Sequence, residues 1–284
     1  MPLDLIQFSF LMMARKRSVK HYTSGEMRSS ISNSIPTLVP NRFNVIGSVA
    51  IVSIDSDRED KRRVAEALIL EHKEIKTVLN KVSKLEGDRR VASFEVLAGG
   101  ETVTLHREFG FVYKLDVSSV FFNSRLGYER ARIASMAKPG EKVLIPFSGV
   151  GPFVVPIAAR GSNVVAAEKN PEACRWLAEN IRLNRVEENV SIIRGDAFVL
   201  SKMLRQKFDV VVIPTPYGQD EILKAIRPLV RKGGRVHFYT FKKMDQIEGL
   251  IEGYEKMGFQ VEFYRRCGNV APAVSRWAFD LTKC

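Results

Sequence analysis

Cysteine is scarce: Cys174, Cys267 and Cys284 are the only three in 284 residues, far apart and in no CxxC or Cys/His spacing. An odd, scattered set supplies neither a disulfide framework nor a zinc site, and it fits a reducing compartment. Histidine is nearly as rare, with four in all. His106 and His237 fall in strand-like runs and read as core-edge residues rather than ligands, so no metal is expected. No apolar run is long enough to span a bilayer, so no membrane association is expected. The opening stretch MPLDLIQFSFLMMARKRS breaks its apolar run at Gln7 and Ser9 and carries its basic cluster afterwards. That is the reverse of a signal peptide, and a cytoplasmic protein is expected. Acid is also short: 32 Asp and Glu face 44 Lys and Arg, a net charge of +12. Such a balance favours a polyanionic partner, nucleic acid first.

The chain divides by pattern into three parts. Residues 18–35 are rich in Ser and polar residues without periodicity, and 1–35 read as a flexible leader. Residues 36–116 read as a small α+β domain: FNVIGSVAIVSI as a strand pair, REDKRRVAEALILEHKEIKTVLNKV as an amphipathic helix, and RRVASFEVLAGGETVTLHREFGFVYKLDV as a β-meander. From 117 to 284 strands and helices alternate, the signature of a parallel sheet covered on both faces. KVLIPF, NVVAAE, VSIIRG, FDVVVIP and GRVHFYTF are the strands, with helices over 152–160, 171–184, 198–205, 220–231 and 244–257. FQVEFYRR and SRWAFDLTK then follow one another without a helix between them. An antiparallel hairpin closing a seven-stranded Rossmann-like sheet is expected, as in class I methyltransferases.

A third glycine is missing too. In FSGVGPFVVPIAARG, Gly149 and Gly151 lie between a strand and a helix, where the backbone can approach a ligand closely. Val154 stands where a dinucleotide site needs its third glycine beside the pyrophosphate. S-adenosylmethionine (SAM) has no pyrophosphate and needs no such residue. Glu168 ends the next strand, where an acid can accept both ribose hydroxyls, and Asp196 ends the third, suited to an adenine amino group. SAM is therefore the expected cofactor. Ile145 occupies a position where related turns carry a carboxylate, so one polar contact is absent or supplied elsewhere.

The runs VFFNSRLGYERARIASMAKPGEKVLIPFSGVGPFVVPIAARG and AEKNPEACRWLAENIRLNRVEENVSIIRGDA, with NRFNVIGSVAIVSI, LHREFG and NVAPAVSRWAFDL around them, resemble the archaeal and eukaryotic tRNA guanine-37 N1-methyltransferase family. That family shares its fold with the wyosine-pathway aminocarboxypropyl transferases. The resemblance implies a tRNA partner, bound at its anticodon stem-loop, and a monomer. It implies cofactor contacts from Phe147, Gly149, Gly151, Glu168, Asp196, Ala197 and Pro214. FNSRLGYER matches the family's FxxRLxxER segment and puts Arg125 and Glu129 on its catalytic Arg and Glu. The chemistry asks for such a pair: N1 of guanine bears a proton that a carboxylate must take, and the charge that spreads to O6 is stabilised by a guanidinium. Arg90 corresponds to a family position near the target base.

The family's Asn-Leu-Pro after the fourth strand is replaced by Pro214, Thr215 and Pro216. Tyr217 offers a ring for stacking on a base instead. Methyl transfer is the leading expectation. Aminocarboxypropyl transfer from the same cofactor is the alternative, and a non-catalytic SAM- or RNA-binding relative is the third.

Overall fold

The computed structural model describes residues 43–83 and 92–284, all within one compact unit, Thr37–Cys284. The leader, 1–35, lies outside the described residues, as does Arg90.

A four-stranded sheet comes first, in the order β1-β2-β3-β4, built from β1 (Asn44–Ile46), β2 (Val49–Val52), β3 (Thr77–Lys81) and β4 (Phe94–Ala98). Its crossover is α1 (Arg58–Glu71), which starts where the Asp57 side chain accepts the Asp60 amide at 2.9 Å and where Glu59 and Asp60 face the positive helix end. The sequence pattern carries this helix on to Val82, but the chain turns after His72 and Thr77–Lys81 forms a strand. Thr77, Val78, Leu79 and Asn80 are all buried there, and residues enclosed on both faces lose the one-sided periodicity that separates strand from helix. The expected meander is also divided. β4 pairs with β3, whereas β5 (Val103–Glu108) and β6 (Phe111–Asp116) form a hairpin of their own.

Beyond a linker, a short 3-10 turn (Ser124–Leu126) leads into α2 (Gly127–Met136) and the large sheet. Its order is β12-β13-β11-β10-β7-β8-β9, from β7 (Lys142–Pro146), β8 (Asn163–Glu168), β9 (Val190–Arg194), β10 (Phe208–Ile213), β11 (Val230–Lys242), β12 (Phe259–Ala271) and β13 (Val274–Lys283). The pairs among β7 to β11 are parallel and the last hairpin is antiparallel. This is the α/β architecture expected for residues 117–284. The helices α3 (Val154–Ala158), α4 (Pro171–Leu183), α5 (Leu200–Met203), α6 (Ile222–Ile226) and α7 (Ile247–Lys256) are shorter than their patterns, partly because single 3-10 turns open or close them.

Two apolar layers cover the large sheet, one around Phe208, Phe238, Trp277 and Phe279 and the other around Ile145, Phe153, Leu177 and Tyr239. A third cluster joins Ile46, Leu79, Tyr113 and Phe122 to Val150 and Trp176, packing the small sheet and the β5–β6 hairpin against the first turn of the large one.

Candidate functional site

The parallel register of β7, β8, β9 and β10 puts their C-terminal ends along one edge, where open α/β sheets bind ligands. Phe147, Gly149 and Gly151 follow β7, Glu168 ends β8, Asp196 and Ala197 follow β9, and Pro214 follows β10. All seven expected cofactor contacts therefore share that edge.

The two turn glycines serve different ends. Both have positive φ, +55° at Gly149 and +96° at Gly151, which favours glycine. A Cβ on Gly151 would lie 2.7 Å from Leu177 Cδ1, so this residue lets α4 close against the turn. A Cβ on Gly149 would meet nothing within 4 Å, so no packing demands a glycine there and its bare backbone is turned to open space. Glu168 ties the turn to β8: Oε2 accepts the Gly149 amide and Oε1 the Asn170 amide, each at 2.8 Å. Each oxygen keeps a second lone pair, and the carboxylate is only half-buried. An open backbone cradle beside an anchored, accessible acid fits a nucleoside with vicinal hydroxyls. Asp196 caps its own turn by accepting the Phe198 amide at 3.0 Å, with Lys169 Nζ 3.4 Å from its other oxygen. Asn180, fully buried on α4, holds the turn from behind by donating to the Val150 carbonyl at 2.9 Å.

Arg125 and Glu129, four residues apart, point to different surroundings. Arg125 is exposed, on the wall of a cavity of about 570 Å³ also lined by Phe94, Phe122, Cys267, Asn269 and Arg276. Glu129 is 2 % exposed. Its Oε2 accepts Arg132 Nε and Nη2 at 3.1 and 3.0 Å and the Tyr239 hydroxyl at 3.1 Å. Oε1 accepts no hydrogen bond among the described residues, with Arg265 Nε 3.4 Å away. Among the described residues no ion pair joins Arg125 to Glu129. Burial and then the nearby Glu129 carboxylate push the thiol of Cys267, a residue of the cavity wall, up to about 11. Tyr239, whose hydroxyl is likewise pushed well up by burial and then by Glu129, meets the Phe153 ring at 5.5 Å and links the carboxylate to the glycine turn.

Sequence reasoning missed the shell behind Glu129. Arg132 also donates to Asp280, whose Oδ1 lies 2.7 Å from His237 Nδ1. Asp280 in the apolar run RWAFDL was the available signal, since a lone acid inside a buried strand calls for a partner. Tyr217 is 55 % exposed and rests on Phe241, ring centroids 5.4 Å apart, while the Arg276 guanidinium lies 4.8 Å from the Phe241 centroid. Ile145 is fully buried in the layer that contains Tyr239 and Ala278.

Residues 104–261 match the family described as the TRM5/TYW2 methyltransferase domain, and residues 26–102 match the TYW2 N-terminal domain. The tRNA (guanine(37)-N(1))-methyltransferase Trm5b of Pyrococcus abyssi is 34% identical over 260 residues, which is 88% of this chain and 77% of that one. The tRNA(Phe) (4-demethylwyosine(37)-C(7)) aminocarboxypropyltransferase of Pyrococcus horikoshii is 39% identical over 176 residues, 60% of this chain and 63% of its own. Among solved structures, aTrm5 in complex with tRNALeu has a TM-score of 0.79 at 28% identity, covering 87% of this chain and 73% of the other. P. horikoshii TYW2 in complex with MeSAdo has a TM-score of 0.72 at 30% identity, covering 87% and 92%.

Proposed function

Because this chain belongs to the TRM5/TYW2 methyltransferase family, we propose that it is a SAM-dependent tRNA methyltransferase acting on N1 of guanine 37, beside the anticodon. The observation that carries the reading is Glu129: a buried carboxylate with one oxygen anchored by hydrogen bonds and the other accepting none among the described residues, one helical turn from Arg125 on the wall of a cavity.

Phe147, Gly149, Gly151, Glu168, Asp196, Ala197 and Pro214 hold the cofactor. When bound, SAM supplies an electrophilic methyl group. Glu129 Oε1 takes the proton from guanine N1, and Arg125 stabilises the charge that collects on O6. Tyr217 stacks on a base in place of the absent Asn amide, and Arg90 contributes from the small domain. Residues 36–116 position the RNA and residues 117–284 carry the transfer, with the basic surface holding phosphates of the anticodon stem-loop. Among the described residues no helix is long and apolar enough to cross a membrane. The enzyme works as a cytoplasmic monomer and without a metal.

Aminocarboxypropyl transfer is the second reading. Two observations favour it: the match of residues 26–102 to the TYW2 N-terminal domain, and Pro214-Thr215-Pro216 where the methyltransferase branch has Asn-Leu-Pro. Incubating a tRNA transcript bearing guanine 37 and, in parallel, a tRNA bearing the wyosine precursor 4-demethylwyosine at position 37, each with SAM labelled separately in its methyl and carboxyl carbons, followed by nucleoside mass analysis, divides the readings. Methyl label in 1-methylguanosine supports the first, and carboxyl label in a wyosine precursor supports the second.

A further inference from the structure

The two oxygens of Glu129 are not equivalent. Oε2 is saturated by Arg132 and the Tyr239 hydroxyl. Oε1 is buried and takes no hydrogen bond among the described residues. A buried oxygen left without a donor is costly, which marks it as an atom kept for a further partner. Its neighbour is Arg265, whose Nε at 3.4 Å stands beyond the span of a good charge-assisted hydrogen bond.

Arg265 differs in its placement from the other groups around this carboxylate. Its side chain keeps 35 % exposure, against 15 % for Arg132. It belongs to β12, the edge strand of the large sheet, and its guanidinium lies 4.7 Å from the centroid of the exposed Tyr128 ring. Phe263, two residues before it on the strand and packed by Arg132, is exposed too. A part-exposed guanidinium beside the exposed Tyr128 and Phe263 rings suits a contact with an RNA backbone.

We propose that Arg265 is a cover over the base, drawn aside by a phosphate of the RNA. The inference rests on the reading of Glu129 as the group that takes the N1 proton. Only Oε1 has room for that proton, and Arg265 stands against it. The guanidinium occupies the carboxylate's free side. Because the contact with Oε1 is long and the side chain half-exposed, a seated phosphate competes for the guanidinium. Arg265 then turns outward along the Tyr128 ring, and Oε1 is uncovered only when the polyanionic substrate is in place. The N1 proton passes to Oε1 and leaves its electron pair on the ring.

The test compares the full chain as wild type, Arg265→Ala, Arg265→Lys and Glu129→Gln. The substrates are a whole tRNA transcript with guanine 37 and a short anticodon-loop oligonucleotide carrying the same guanine with few phosphates. Wild type turns over the oligonucleotide far more slowly than tRNA at saturation, and Arg265→Ala narrows that kcat gap by about tenfold. In binding, the slope of log Kd for tRNA against log salt falls by about 0.7 to 0.9 in Arg265→Ala, the loss of one phosphate contact, and Arg265→Lys restores it. An unchanged gap or an unchanged slope, with Glu129→Gln inactive on both RNAs, overturns the cover while leaving the base assignment standing. A Glu129→Gln enzyme that still methylates overturns the base assignment and the cover with it.

Discussion

Asp280 receives Arg132 on both of its oxygens, Nη1 to Oδ2 at 2.6 Å and Nη2 to Oδ1 at 3.2 Å, so the guanidinium that holds Glu129 is itself held. His237 completes the set from the neighbouring strand at 2.7 Å. A side chain that must present a carboxylate within a few tenths of an ångström gains most from partners that fix its rotamer. Asp280→Asn keeps the shape and removes the charge. Its expected signature is a fall in kcat of about tenfold with little change in KM for tRNA, read by steady-state methyl transfer.

The same residue gives a pH dependence of stability. Burial alone would raise the Asp280 carboxyl, but hydrogen bonds from His237 and Arg132 outweigh it and hold the group down at about 2, against an ordinary 3.8. The folded state therefore favours the ionised form. Its contribution is complete above about pH 4 and is lost as the pH falls from there towards 2. Such a shift corresponds to about 2 kcal/mol. Chemical denaturation of wild type at pH 6 and pH 3 should show about half of this loss, about 1 kcal/mol, and Asp280→Asn should lack that part of the difference.

Gly149 and Gly151 separate ligand binding from packing. Alanine at either position meets a strained positive φ, a cost of about 1 kcal/mol. At Gly151 the new methyl also strikes Leu177, which is fully buried and has little room to yield, adding about 1 to 3 kcal/mol. Gly151→Ala should lower the melting temperature well below that of Gly149→Ala. Gly149→Ala should lose SAM affinity out of proportion to its small stability cost, because its methyl points to open space. Calorimetric titration beside thermal melting distinguishes the two.

The large sheet was legible because its signals are local and repeated. NVVAAE forms β8 residue for residue, and the absence of a helix between FQVEFYRR and SRWAFDLTK announces the closing hairpin. The small domain was harder. Thr77–Lys81 sits close behind a helix, and its enclosed side chains remove the alternation that marks a half-buried strand. β4 pairs back with β3 rather than on with β5, a choice that no local pattern carries. The glycine turn and its acids could be read from spacing along strand ends. Asp280 stood out as a lone acid in an apolar run, but its partners Arg132 and Tyr239 could not be read, because three separate elements bring them together and their alternation looks like any strand or helix face.

Tyr217 tests the substituted loop after β10. Its exposed ring rests on Phe241, and Arg276 covers Phe241 from elsewhere on the sheet. Stacking of one base on such a ring contributes about 1 to 3 kcal/mol. Tyr217→Ala should raise KM for tRNA by about fivefold to a hundredfold with SAM affinity unchanged, while Tyr217→Phe stays near wild type. If both variants behave as wild type, the ring has no substrate contact.

Ile145 decides whether the cofactor turn has lost a contact or exchanged it for packing. It is fully buried at the end of β7, opposite Ala166 in the sheet, within the layer that holds Tyr239 and Ala278. Tyr239 already gives its hydroxyl to Glu129. An aspartate introduced here would exchange apolar contacts for a carboxylate with no spare donor in that layer. The expected cost is about 3 kcal/mol or more. Burial would raise the new carboxyl above its unfolded value, so the folded state would bind the extra proton and stability would fall as pH rises through that window. Ile145→Asp should therefore melt further below wild type at pH 8 than at pH 5, and saturating SAM should not close the difference. Were the variant to bind SAM more tightly with its melting temperature intact, residue 145 would face the ligand rather than the core. Packing would then be the wrong account of why this turn does without its acid.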